Sequence, residues 1–208
     1  MGRLRVSCAA FCRIEYEGQY LFILNRERAR RGQWSITPIG GALWHFDPPI
    51  LREIGAQVEN PGAHDLRFCL PDADGEAHLD AFRGWFYQRV ERETDPFREL
   101  REELVEEQGI LPALVREHVN LRFAYALERR SLSNRPGAPV AETQFFWEVF
   151  DAELTDHGLM RRLRDADRQQ GIFWLSMAEA TRARPIRWEQ HDVQVDLGFL
   201  LHTNGAKG

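Results

Sequence analysis

The chain has 208 residues, 43% of them hydrophobic and 11% aromatic, enough for one sizeable core or for a domain carrying a large insertion, which excludes wholesale disorder. The formal net charge of −5 argues against a general nucleic-acid binder. Lys207 is the sole lysine, so a Walker-type Gly-Lys-Ser/Thr loop is excluded, and any phosphate clamp must come from arginine, backbone N–H groups or metal ions.

Residues 4–14 (LRVSCAAFCRI) read as a strand. Cys8 and Cys12 alternate with its apolar positions and are expected to be buried rather than to ligate metal. With Cys69 they make an odd count that forms no disulfide framework. Together with an N-terminus lacking a long apolar core, this gives a cytoplasmic expectation. No segment approaches the roughly 20 apolar residues of a membrane span. Glu17-Gly18 supplies a turn, and 19–25 (QYLFILN) reads as the second strand of a hairpin. A basic stretch from Arg26 to Arg31 leads to WSITPIGG, where Pro38 and Gly40-Gly41 suggest a tight turn that can approach a ligand closely.

Residues 47–78 are rich in turn signals: Pro48-Pro49, Asn60-Pro61-Gly62 and Asp72 to Gly75, with a short strand at 66–70. Leu79, Phe82, Phe86 and Val90 recur at helical spacing, which predicts a helix over 79–93. Asp95 and Pro96 mark the start of the next helix, FRELREELVEEQ, and Gly109 its end. Strands are expected near 119–128 and 140–151, joined by a loop with Asn134, Pro136 and Gly137. A charged helix over 156–169, a short strand at FWLSM (173–177) and a turn with Glu179 follow, and 187–202 is ambiguous. The chain has no internal repeat and no clean linker, so it reads as one domain over 1–208.

The helix from Phe97 carries the chemistry. On a wheel of 3.6 residues per turn, Glu99, Glu103, Glu106 and Glu107 share an arc of about 100°, beside an apolar arc of Phe97, Leu100 and Leu104. Like charges at i,i+4 cost about 0.2–0.5 kcal/mol per pair unless screened or bridged by a cation. The residues alone leave two readings open, a solvated acidic face partly neutralised by Arg98 and Arg101, and a metal site.

Order and spacing add to this. Glu103-Leu104-Val105-Glu106-Glu107-Gln108-Gly109-Ile110 resembles the second half of the Nudix box, with Glu102 where that family has arginine. Gly41, then ALWHF, then Asp47 resembles the first half, with Asp in place of Glu. QYLFILNRER with GQW and PIGG resembles the family's second strand and Gly turn, and GIFWLSMAEA its late Trp-containing segment. Residues 48–101 separate the two halves where the family has a short spacer, so an insertion at about 48–95 is expected; loop closure tolerates it because the entropic cost grows slowly with length.

The resemblance implies an α+β fold, an α-β-α sandwich with a mixed sheet flanked by helices. It implies a hydrolase of phosphoric anhydride bonds, a pyrophosphohydrolase cleaving a nucleoside diphosphate linked to another group. Glu103, Glu106 and Glu107 would hold Mg²⁺ or Mn²⁺, with the Gly40 carbonyl as a further ligand. Gly41, Asp47, Arg98 and Glu102 would support the box, Arg98 pairing with Glu102 in place of the family's arginine. Arg26, Trp85 and Tyr87 are substrate-binding candidates, the last two as a stacking wall. Asp165, Asp167 and Glu142 are candidates for the general base. The expected partner is a small nucleotide-type substrate and no membrane, and the oligomeric state stays open, a homodimer being one reading. Two other readings stay open: a Nudix-fold nucleotide sensor with weak catalysis, and an acidic protein-interaction module.

Overall fold

The computed structural model describes residues 4–71, 75–133, 141–182 and 184–201. The loop expected at Asn134, Pro136 and Gly137, and the turn residues Asp72, Ala73 and Asp74, lie outside them. Strand β1 (Arg5–Arg13) opens the chain, and all nine of its residues are buried, Cys8 and Cys12 among them as expected. β2 (Glu15–Tyr16) and β3 (Gln19–Leu24) form the hairpin, turned by Glu17 and Gly18 at φ 50° and 76°, the left-handed pair that a two-residue primed turn needs. Asn25 then caps a single helical turn, α1 (Arg26–Ala29), by accepting from Arg28 N at 2.9 Å.

The Gly40-Gly41 segment does not make the expected tight turn. It runs as β5 (Ile39–Ala42) after β4 (Ser35–Thr37), and Gly40 meets its need for a glycine at φ 156° within extended chain. Next come α2 (Pro49–Glu53), β6 (Gln57–Val58) and β7 (Arg67–Cys69). Helix α3 (Gly75–Gln88) starts and stops earlier than predicted. Arg89 and Glu91 take left-handed φ of 57° and 54°, which ends the helix and leaves Val90 exposed rather than on the apolar stripe. α4 (Phe97–Arg101) continues without a break into a wider π-wound stretch, Glu102–Glu107, and the helix closes near Gly109 at φ 64°. β8 (Val119–Ser133) and β9 (Ala141–Leu154) extend beyond their predicted spans. α5 (His157–Asp165), β10 (Ile172–Ser176) and α6 (Met177–Ala180) follow, α6 held by a capping box between Ser176 and Glu179. The ambiguous last stretch contains β11 (Ile186–Trp188) and β12 (His191–Val195).

The chain forms two compact units. The first holds residues up to Ala10, Gly41–Pro96 and Ala126–Glu148; the second holds Phe11–Gly40, Phe97–Tyr125 and the residues from Val149 on. In the first unit β6 pairs antiparallel with β7, and β7 antiparallel with Arg5–Ser7 of β1. Phe82 of α3 packs on Phe68 and Phe146, and Phe86 on Phe146, with ring centroids 4.9–5.4 Å apart. In the second unit the order is β10-β3-β4-β12-β11, with β12 parallel to β4 and the other pairs of this path antiparallel. Its largest apolar cluster takes in Cys12, Ile23 and Ile39 together with Leu100 and Leu104. Mixed sheets with helices make this an α+β protein. Among the described residues no helix is long and apolar enough to cross a membrane.

Candidate active site

The acidic helix sits in the second unit, fixed by its apolar seam. Leu100 and Leu104 are fully buried in the cluster just described, which leaves the carboxylates on the neighbouring side. From Glu102 the winding loosens. Gln108 N donates to Glu103 O at 2.9 Å, an i to i+5 bond, and Ile110 N and Leu111 N both reach Leu104 O at 3.0 Å. The wheel of 3.6 residues per turn therefore fails here. A π turn needs more residues per revolution and often occurs where a helix serves a site.

The change of winding brings Arg101 to Glu106, five residues on, while Glu99, Glu103 and Glu107 stay neighbours in charge. Glu103 is half buried, and burial pushes its carboxyl up to about 8. The negative charges of Glu107 and Glu99, and to a smaller degree Glu102, push the same way, while a hydrogen bond from Gln108 pulls down. Glu106 is exposed and ion-pairs with Arg101 at 3.2 Å. Arg98 is divided between Glu99 at 2.8 Å and Glu102 at 2.9 Å. The structure thus groups Glu99, Glu103 and Glu107 electrostatically and sets Glu106 against Arg101. Glu99 was left out of the expected ligand set, although its i,i+4 spacing to Glu103 was the available signal.

Gln108 was also missed, because it occupies a variable position of the box. Its Oε1 accepts from Arg26 Nε at 2.6 Å, and its Nε2 donates to Leu24 O at 3.3 Å. Arg26 also donates to Gln170 O at 3.2 Å, so the expected phosphate contact is held against the helix end. Gly40 lies in the same unit, in β5.

Of the other expected residues, Gly41, Asp47, Trp85 and Tyr87 lie in the first unit. Asp47 is exposed at φ 51°, and its Oδ1 is 3.6 Å from His45 Nδ1. Trp85 is buried beside Phe82, and Tyr87 donates to Glu128 Oε1 at 3.1 Å, so both are engaged within that unit. Among the base candidates, Asp167 accepts from Gln169 N and Gln170 N at 2.9 and 3.1 Å and caps a short helical turn. Asp165 ends α5 and is exposed; Glu142 is exposed in β9, where its charge is felt by Arg130. A cleft of about 670 Å³ in the second unit is lined by Arg13, Tyr16, Tyr20 and Arg122 among others, but by none of the helix's glutamates.

With the acidic helix and its partners in place, comparison with family models matches residues 3–195 to the SMODS-associated NUDIX domain. The chain belongs to this family. Comparison with curated proteins and with solved structures gives no match. As a SMODS-associated NUDIX domain the chain is a member of the Nudix superfamily. Membership supports, at the coarse level, a hydrolase acting on phosphoric anhydrides, a class that generally uses divalent metal ions.

Proposed function

We propose that this SMODS-associated NUDIX domain is a divalent-metal-dependent pyrophosphohydrolase that cleaves a nucleoside diphosphate linked to another group. We also read it as one Nudix domain with an insertion at about 48–95. The observation that carries the activity is Glu103, a half-buried carboxyl among like charges on a π-wound helix of the right family. Burial and the charges of Glu107 and Glu99 make its ionised form costly, and a divalent cation is the compensation that hard carboxylate oxygens accept. Carboxylate oxygens are the donor type that suits Mg²⁺ or Mn²⁺, although among the described residues no three of the helix's carboxylates converge on one point.

Glu103 and Glu107 would hold the ion, with Glu106, Glu99 and the Gly40 carbonyl as further oxygen donors. When bound, the ion supplies positive charge to the diphosphate oxygens and makes a nearby water more acidic. The chain does the positioning. Leu100 and Leu104 anchor the helix, Arg98 spaces Glu99 from Glu102, and Gln108 orients Glu103 through its hydrogen bond. Arg101 pairs with Glu106 on the exposed side of the helix. A small nucleotide-type substrate is the fitting partner.

A second reading, a nucleotide sensor with weak catalysis, is favoured by Glu102 in the place of the family's arginine. The two separate in one experiment. Purified protein with Mg²⁺ or Mn²⁺ is given ADP-ribose, NAD, dinucleoside polyphosphates and nucleoside triphosphates. Turnover that disappears in Glu103→Gln supports the hydrolase; tight nucleotide binding with no turnover of any substrate overturns it in favour of the sensor.

A further inference from the structure

Outside the acidic helix, one cluster has a different chemistry. His45, Asp47 and His64 each bring a ligand-type atom to within 4.8 Å of the others, and among the described residues no other group of three does so. All three belong to the first unit. His45 is buried, while Asp47 and His64 are exposed.

The backbone builds this cluster. Residues 43–46 lie between two other segments, hydrogen-bonded on both sides. On one side His45 N donates to His64 O and Leu66 N to Leu43 O, both at 2.8 Å. On the other, Phe46 N donates to Glu91 O and Glu93 N to Trp44 O, both at 2.9 Å. This fixes the His45 backbone beside that of His64. Asp47 and His64 take left-handed φ of 51° and 55°, which few side chains other than Asn, Asp and His adopt readily. Asp47 N donates to His45 Nδ1 at a long 3.2 Å, so the Nδ1 lone pair faces Asp47, whose Oδ1 is 3.6 Å away. The two rings meet edge-on with centroids 5.8 Å apart.

We infer that His45, Asp47 and His64 form a second metal site, selective for a late first-row divalent ion such as Zn²⁺. Two imidazoles and one carboxylate suit Zn²⁺ or Co²⁺, unlike the oxygen-only set of the acidic helix. Bonds of about 2.0–2.2 Å at tetrahedral angles set donors about 3.4 Å apart. The 3.6 Å between His45 Nδ1 and Asp47 Oδ1 matches this, and a small rotation of exposed His64 completes the set. An ion bound there takes over the Nδ1 lone pair from the long Asp47 N–H contact. Three protein donors leave one tetrahedral position open. His45 and Asp47 also line a cleft of about 590 Å³ with Arg52, and a fourth ligand would enter from there.

The test uses the full, untagged chain, stripped with chelator and titrated with Co²⁺ and then Zn²⁺. The expected result is one Co²⁺ per chain with the visible absorption of a tetrahedral site, displaced by Zn²⁺. His64→Gln and Asp47→Asn change exposed side chains, and each should weaken binding by about tenfold or more, since altering a mere neighbour of a ligand already costs that much. Melting curves check that both variants fold. Glu103→Gln should leave the Co²⁺ spectrum unchanged, which keeps this site separate from the acidic helix. No tetrahedral spectrum, a spectrum indifferent to both substitutions, or one that depends on Glu103 would each overturn the inference.

Discussion

Gln108 joins Arg26 to Glu103: its amide oxygen accepts from Arg26 Nε at 2.6 Å, and its side chain hydrogen-bonds the Glu103 carboxyl. That bond is the one influence favouring the ionised form of Glu103 against burial and three like charges. Gln108→Leu should therefore raise the Glu103 titration further in metal-free protein, read by carboxyl NMR, and free Arg26 from its anchor. Turnover should fall by about tenfold, the loss of roughly one charge-assisted hydrogen bond. A fall in turnover with no change in the Glu103 titration would show that Gln108 acts only through Arg26.

The raised Glu103 carboxyl is also a stability statement. Its folded value of about 8 lies above the ordinary 4.5, so the folded state binds the proton more tightly. Below 4.5 both states are protonated and the group's contribution is fully present; it is lost as pH rises through 8. Glu103→Gln removes this titration. In chelator, the variant should melt increasingly above the parent across that window, and the difference should level off beyond it. Parallel melting curves across the whole range would show that Glu103 ionises normally.

Arg98 holds two carboxylates at once. Arg98→Met keeps the stem and removes the charge, leaving Glu99 and Glu102 without their shared guanidinium. With the side chain only partly exposed, we expect a loss of about 1 kcal/mol, or a melting point lower by about 2–4 °C in a chain of this size. Turnover should fall more than substrate binding does, because the displaced carboxylates belong to the helix and not to the substrate. Arg98→Lys should recover less than half of the loss, since an ammonium cannot fork between two partners.

The seam of Leu100 and Leu104, the stop at Gly109 and the turn at Glu17-Gly18 were legible because each follows from local pattern. The π winding was not. Nothing in EELVEEQ specifies i to i+5 bonding, which depends on how the seam packs, and with it Arg101 pairs with Glu106, five residues on. The end of α3 was overestimated because Val90 continued the apolar spacing, whereas left-handed Arg89 and Glu91 are set by tertiary contacts. The His45–Asp47–His64 cluster was invisible for a similar reason: His64 reaches the other two only through the pairing of residues 43–46 with 64–66.

The first unit contains a buried ion pair. Arg92 Nη2 meets Glu148 Oε1 at 2.8 Å, with both side chains almost fully buried. Arg92 further donates to Phe86 O at 2.8 Å and Glu93 O at 2.8 Å, and lies over the Phe86 ring at 4.1 Å. Its hydrogen bonds tie the left-handed segment after α3 to the aromatic cluster. Glu148→Ala leaves that guanidinium charged and uncompensated, and should cost about 3–5 kcal/mol in chemical denaturation. The double replacement Arg92→Met, Glu148→Leu should cost less than Glu148→Ala alone, because the pair's own net worth is small once desolvation is counted. A double variant weaker than the single one would mean that the arginine's backbone bonds, not the ion pair, dominate.

In the second unit a tight steric constraint falls at Gly198, which begins a short helical turn after β12. A Cβ there would lie 2.0 Å from the Ala180 carbonyl oxygen and 2.8 Å from its carbon. Both atoms are backbone, at the end of α6, so no side chain can rotate away. Relief requires moving either the turn or α6. Gly198→Ala should accordingly destabilise by about 1–3 kcal/mol, towards the upper end of the usual overpacking range. Gly75→Ala is the control: a Cβ at Gly75 meets nothing within 4 Å, so that variant should melt close to the parent. Equal melting points for the two variants would show that the turn after β12 yields freely and does not fix the position of α6.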